Sequence, residues 1–206
     1  MAETTTHRIE IPSAWLQAIR LFADKTDLRD YMKGVAITHG YLVATDGSVI
    51  GAIRDRRFDG IPETIIPGGA IGVVLTVGNK RKDGNVTVQY ERTESATGGV
   101  FGKGTMSLDN VQWPFTLVEG RYPDIRRALK PDHKEPNGHP QFNLTQLALF
   151  GKAAEAMGAG KGNPYKVHLI PDEDRAARVK LPCEPSFEGC LMPLKASFVA
   201  KHAVFP

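Results

Sequence analysis

The sequence predicts an α+β fold made of repeated modules, each a helix followed by short antiparallel strands, so that helices back the sheets. Three observations carry this. Amphipathic helical stretches begin near residues 13, 68 and 144, each is followed by short β-like runs, and the runs are separated by dipeptides suited to tight turns. With 206 residues, of which 41% are hydrophobic, the chain can bury a substantial core.

The first round opens after Pro12. Trp15, Leu16, Ile19, Phe22 and Ala23 recur at helical spacing, and Ser13 is placed to cap the start. The runs VAIT and YLVAT follow, separated by His39-Gly40 and closed by Asp46-Gly47, which tolerate the backbone of hairpin turns. The second round opens after Pro67, with Ile71, Val74, Leu75 and Gly78 on one helical stripe. NVTVQYE then alternates cleanly, KGTMSL is expected to pair with it across Gly98-Gly99, and FTLVEG closes the set. The third round opens at Asn143, a side chain able to cap a helix carrying Leu147, Phe150, Ala154 and Met157 and ending at Gly158. YKVHLI, AARVKL and GCLMPL are its strands, with a loop expected over Pro185 to Gly189. The period is roughly 60 residues, longer than that of common solenoid repeats. The segment KPDHKEPNGHP, rich in proline and without an apolar anchor, reads as a linker over 130–140 between a domain at 7–129 and a half-domain at 141–206. A lone half-domain leaves strand edges open and is expected to pack on the earlier rounds or on another chain.

Composition excludes several classes. A net charge of +3 is too small for a bulk polycation, so contact with nucleic acid has to come from locally arranged Lys and Arg. No apolar run approaches the roughly 20 residues of a membrane helix, and the chain reads as soluble and cytoplasmic, with no membrane partner. Cys183 and Cys190 read as reduced thiols. IPGGAIG lacks the Gly-Lys-Ser/Thr ending of a phosphate loop, and no nucleophile elbow, H-E-x-x-H helix or C-x-x-C is present. Asp172, Glu173 and Asp174 read as a solvated turn; a metal-dependent nuclease built on them would lack partner ligands elsewhere. No catalytic residue, metal or cofactor is expected.

Four segments, DLRDYMKGV (27–35), VATDGSVIG (43–51), EGRYPDIRRALKP (119–131) and LMPLK (191–195), resemble in order those of bacterial DNA polymerase III β subunits, the DNA sliding clamps. The first three resemble the clamp's middle domain and the last its carboxy-terminal strand. The resemblance implies a DNA-clamp fold and a shortened, phage-type protein. Three rounds resemble half a clamp subunit, so a ring of clamp size would take about four copies.

Function is implied in the same way: a non-catalytic processivity or tethering factor in DNA replication, holding duplex DNA without sequence specificity and docking partner peptides. The pocket residues implied are Met32, Thr45, Gly47, Val49, Ile50, Pro123, Arg127, Ala128, Met192, Pro193 and Leu194, for peptides such as polymerase or clamp-loader tails; each has core packing as its alternative. For DNA the candidates are Arg20, Arg29, Lys80, Arg81, Lys82, Lys152 and Lys161, on or beside the three helices, with ordinary solvated side chains as the alternative; the resemblance adds Tyr31 and favours Arg29, because the corresponding clamp stretch contacts DNA near the ring's inner rim. Two departures stand out. Asp30 occupies a place where clamps often carry a second aromatic, and Ser48-Val49 replaces the usual His-Arg, making the groove less charged. Arg121, Arg126 and Arg127 have pairing with Asp124, Asp132 or a neighbouring sheet as their structural alternative, Arg126 above all. The other functional reading is a ring-less, clamp-derived adaptor, decoy or inhibitor of replication proteins.

Overall fold

The computed structural model describes residues 3–78, 84–95, 99–129, 140–159, 167–172 and 176–195. The first module comprises β1 (Glu3–Pro12), α1 (Ser13–Ile19, continued by a 3-10 turn over Arg20–Phe22), β2 (Gly34–Thr38), β3 (Tyr41–Thr45) and β4 (Val49–Arg54). The second comprises β5 (Thr64–Pro67), α2 (Gly68–Gly78), β6 (Asn85–Glu94), β7 (Val100–Leu108) and β8 (Val111–Thr116). The third comprises α3 (Leu144–Ala156), β9 (His168–Ile170), β10 (Ala177–Leu181) and β11 (Glu184–Leu191).

The first two modules exchange their leading strands. β1 pairs with β6 and β5 with β2, giving a four-stranded sheet in the order β1-β6-β7-β8 and a seven-stranded sheet in the order β5-β2-β3-β4-β11-β10-β9. All three helices pack against these sheets in one continuous core. α1 buries Leu16, Ala18 and Ile19 and α2 buries Ile71, Val74 and Leu75. α2 is poor in intrinsic propensity, carrying several glycines and β-branched residues, so burial rather than local preference holds it helical. Asn143 caps α3 as expected, its Oδ1 accepting from the Thr145 amide at 2.9 Å.

The third module docks on the first. β11 pairs antiparallel with β4, placing Gly189 directly opposite Gly51. A Cβ on Gly51 would collide with the Phe22 ring, and one on Gly189 would lie 2.5 Å from Phe150. These two glycines therefore make the hollow in which the Phe22 and Phe150 rings meet, tilted at 49° with 5.0 Å between centroids, and Phe187 lies edge-on to Phe150 at 6.2 Å. Two polar links cross the same seam. Trp15 Nε1 donates to Glu184 Oε2 at 2.9 Å, and Gln146 Nε2 donates to Asp46 Oδ2 at 3.1 Å.

Several expectations are corrected. Each of the first two helices is preceded by a strand, β1 and β5, whereas the sequence reading began each round at its helix. Ser13 is the first helical residue and Pro12 the cap position, so the helix begins without a side-chain cap. Pro185 to Gly189 lies inside β11 rather than in a loop, and Met192 to Leu194 falls beyond the strand end. Pro185 stands near the start of its strand, where a missing N–H is tolerated. FTLVEG contributes only Phe115 and Thr116 to a strand, because β8 starts at Val111 after a two-residue turn in which Asp109 has φ 52°. Nearly all of the proposed linker lies outside the described residues. No helix among the described residues is long and apolar enough to cross a membrane.

Candidate functional site

β2 is buried at every position and β3 at all but its first, as no alternating strand would be. The reason is the segment after β8, which crosses the outer face of the seven-stranded sheet and packs Tyr122 and Ile125 on Ala36, Val43, Ala52 and Ile65, with Tyr31, Ile50 and Leu129 around them. β6, by contrast, alternates because its outer face is bare.

The crossing segment is pinned at several points. The Tyr122 amide donates to Glu63 Oε1 at 2.8 Å, while Glu63 Oε2 accepts from Thr38 Oγ1 at 3.2 Å. Gly120 has φ 133° and a Cβ there would meet the Tyr31 ring at 2.9 Å, so only glycine fits. Asp124 Oδ1 accepts from the Arg126 amide at 3.1 Å and from Arg126 Nε at 2.9 Å, which caps the short turn Ile125–Arg127 and holds the Asp124 carboxyl at about 2. Arg126 thus takes the structural role. The Tyr122 hydroxyl is buried beside the Thr45 backbone without a hydrogen bond of good geometry, and burial pushes its pKa up.

The Asp46-Gly47 turn is equally constrained. Asp46 Oδ1 accepts from the Ser48 and Val49 amides at 2.7 and 2.8 Å, Thr45 Oγ1 donates to the Val49 carbonyl at 2.7 Å, and Gly47 has φ 92°. The turn reaches the third module directly, since the Met192 amide donates to the Ser48 carbonyl at 2.8 Å. Cys190 Sγ donates to the Ala128 carbonyl at 3.0 Å, tying the crossing segment to β11, and burial pushes this thiol up to about 12.

Segments around Thr45, Pro123 and Met192 therefore meet at the seam between β4 and β11. Of the residues assigned to peptide docking, Gly47, Pro123, Arg127 and Met192 are exposed, and Ile50, Ala128, Pro193 and Leu194 are half-buried. Met32, Thr45 and Val49 are buried, and Val49 belongs to the core under the helices, on the opposite side of the sheet from Ile50. A separate open cleft of about 840 Å³ lies between His39, Glu63, Arg92 and Arg121; none of the docking residues lines it.

The basic candidates are less concentrated. Lys152 is exposed on α3, three residues before Glu155, and Arg20 lies half-buried with its guanidinium against α2 at Gly72. Arg29 is exposed, over the Tyr31 ring at 5.8 Å, but Asp27 Oδ2 accepts from its Nη2 at 2.7 Å, and this contact holds the Asp27 carboxyl at about 2. Asp30 is likewise paired, with Lys33 at 2.9 Å. Lys80, Arg81, Lys82 and Lys161 lie outside the described residues, as do Glu173 and Asp174. No cluster of His, Cys, Asp or Glu able to hold a metal occurs among the described residues. Glu63, Tyr122, Ile125 and the facing glycines are the organising residues that the sequence reading missed.

Paired modules with exchanged leading strands, helices as one layer and a sheet running unbroken into the next unit define the DNA sliding-clamp fold. Comparison with solved structures bears this out. The chain superposes on the DNA polymerase sliding clamp of Pseudomonas aeruginosa, crystallised with a ligand, with a TM-score of 0.61 and 16% identity over 91% of this chain and 66% of the clamp. For DNA polymerase III subunit beta of Borrelia burgdorferi, in complex with a natural product, the values are 0.64 and 13% over 92% and 64%. The Bacillus subtilis sliding clamp gives 0.54 and 13% over 92% and 64%. The chain thus spans just under two thirds of the length of these clamps. No protein-family model matches it, and no curated protein matches it by sequence.

Proposed function

We propose that this chain is a non-catalytic, clamp-like replication factor that tethers partner proteins to duplex DNA. Partner peptides dock on the outer surface where the Asp46-Gly47 turn, the Pro123 to Ala128 segment and Met192 to Leu194 meet. The observation that carries this reading is that meeting itself: an exposed methionine, 46% accessible, is hydrogen-bonded through its amide to Ser48 beside a tethered, partly apolar crossing segment. A flexible thioether beside the half-buried Ile50, Pro193 and Leu194 suits an inserted apolar side chain. DNA is held without base contacts by Lys and Arg at the helix layer, in a homo-oligomeric ring of about four copies.

A second reading, the ring-less adaptor, is favoured by two observations: Asp27 pairs with Arg29, and Glu155 lies close to Lys152 in sequence on α3. One pair of measurements separates the two. A labelled apolar peptide from a bacterial polymerase tail should bind the unmodified chain, and Met192→Glu with Leu194→Glu should abolish that binding without lowering the melting temperature. The unmodified chain should also be retained on circular duplex at moderate salt and slip from linearised duplex. Peptide binding without retention selects the adaptor. Absence of peptide binding overturns both readings.

A further inference from the structure

The first two modules are related by an approximate two-fold that can be read position by position. Pro12 and Pro67 end the leading strands, and the tenth residue after each is Phe22 or Val77. Asn85 lies opposite Pro12 as Gly34 lies opposite Pro67, and following the ladders outward from these pairs makes Gln112 the counterpart of Ala52 and Trp113 the counterpart of Ile53. On the first module, β11 covers the outer edge of β4 from Val49 to Ile53, and Phe22 and Ile53 are buried. On the second module no strand among the described residues covers β8, and the equivalent residues stand in solvent: Val77 is 64% and Trp113 42% exposed.

The same structural positions are thus sealed on one side of the two-fold and open on the other. The open edge also lacks the usual protection. β8 carries no charged side chain, whereas the edge strand β1 presents Arg8 and Glu10 to solvent. Its one blocking residue, Pro114, corresponds to Arg54, one position beyond the last residue that β11 pairs on β4, so an equivalent pairing uses Val111 to Trp113 and stops short of the proline.

We infer that the free edge of β8, together with Trp113 and Val77, is a joint closed by the β8 edge of a second copy of this chain. The seam already present joins the last strand of one module to the last strand of another, antiparallel, and β8 is the remaining strand of that kind. A two-fold pairing of β8 with its counterpart satisfies both edges at once and buries both tryptophans, which pairing with an unlike partner would not do. This deepens the ring reading and rests on it for its purpose only, because none of these residues belongs to the peptide surface or to the basic set.

The test is the mass of the full chain by light scattering and sedimentation, alongside peptide binding. The unmodified chain is expected to form an even-numbered assembly. Trp113→Lys and Val77→Lys should each halve its mass, with circular dichroism and melting temperature preserved, while Leu28→Lys, at the 97% exposed tip of another loop, should leave it unchanged. A monomer at every concentration, or a mass that neither variant lowers, overturns the joint. If both variants halve the mass and the peptide still fails to bind, the joint stands and the proposed function falls.

Discussion

Truncating Phe150 to alanine tests whether the third module is held chiefly by its aromatic seam. The ring is fully buried against Phe22 and Gly189. A phenylalanine buries about 150–250 Å², which at about 25 cal/mol per Å² corresponds to about 4–6 kcal/mol of transfer free energy. Alanine keeps its Cβ and the site partly collapses, so measured truncations give about 3–5 kcal/mol. That is a large share of the roughly 5–15 kcal/mol by which a domain is stable. The loss should fall first on the seam. Once the ring is gone, the third module is left with the β4–β11 ladder, the Trp15–Glu184 and Gln146–Asp46 hydrogen bonds and thinner packing. Hydrogen exchange followed by mass spectrometry is the assay. Peptides from β11, α3 and β4 should exchange faster in Phe150→Ala, through an opening cheaper than global unfolding, while β6 and β7 keep their protection. A destabilisation under about 1 kcal/mol, or equal acceleration in both sheets, would refute the argument.

Three further outcomes are expected. Tyr122→Phe removes a buried hydroxyl that lacks a good partner and should leave urea stability unchanged or raise it by about 1 kcal/mol, whereas a clear loss would mean the hydroxyl is satisfied in solution. His7 stacks on Tyr90, and burial together with Arg92 lowers its pKa, so the unfolded chain takes up the proton first. Stability should therefore fall as pH drops from about 6.5 toward the lower folded-state value, and His7→Gln should flatten that slope. Cys190, its thiol raised to about 12, should resist alkylation at neutral pH, with the half-buried Cys183 reacting first; the reverse order, by peptide mapping, would contradict the packing over β11.

The helices and the hairpin strands YLVAT, NVTVQYE and KGTMSL were the legible parts of the fold. The stripe from Leu16 to Phe22 and the cap at Asn143 are local signals, and local signals survive in sequence. The exchange of β1 and β5 between modules is not local, and β1, with threonines and charges on one face and only Ile9 and Ile11 as aliphatics on the other, gives a weak period. Gly51 and Gly189 look like strand breakers until Phe22 and Phe150 are seen to need their missing side chains. The unbroken apolar runs of β2 and β3 did hold a clue: a strand buried on both faces needs a cover, and Tyr122 and Ile125 supply it. Arg29, which the clamp resemblance implies as a DNA contact, is held in the fold by the carboxylate two residues earlier, a pairing that a resemblance between motifs does not reveal.

Ile50 joins two loads in one residue. Its backbone stands opposite Cys190 across the β4–β11 ladder, its side chain sits under the crossing segment, and the Cys190 thiol is itself fastened to Ala128. Swinging the third module away from β4 would drag that segment with it, so no hinge can open there while the outside stays intact. The seam is stiff because its brace and its skin are stitched to the same point.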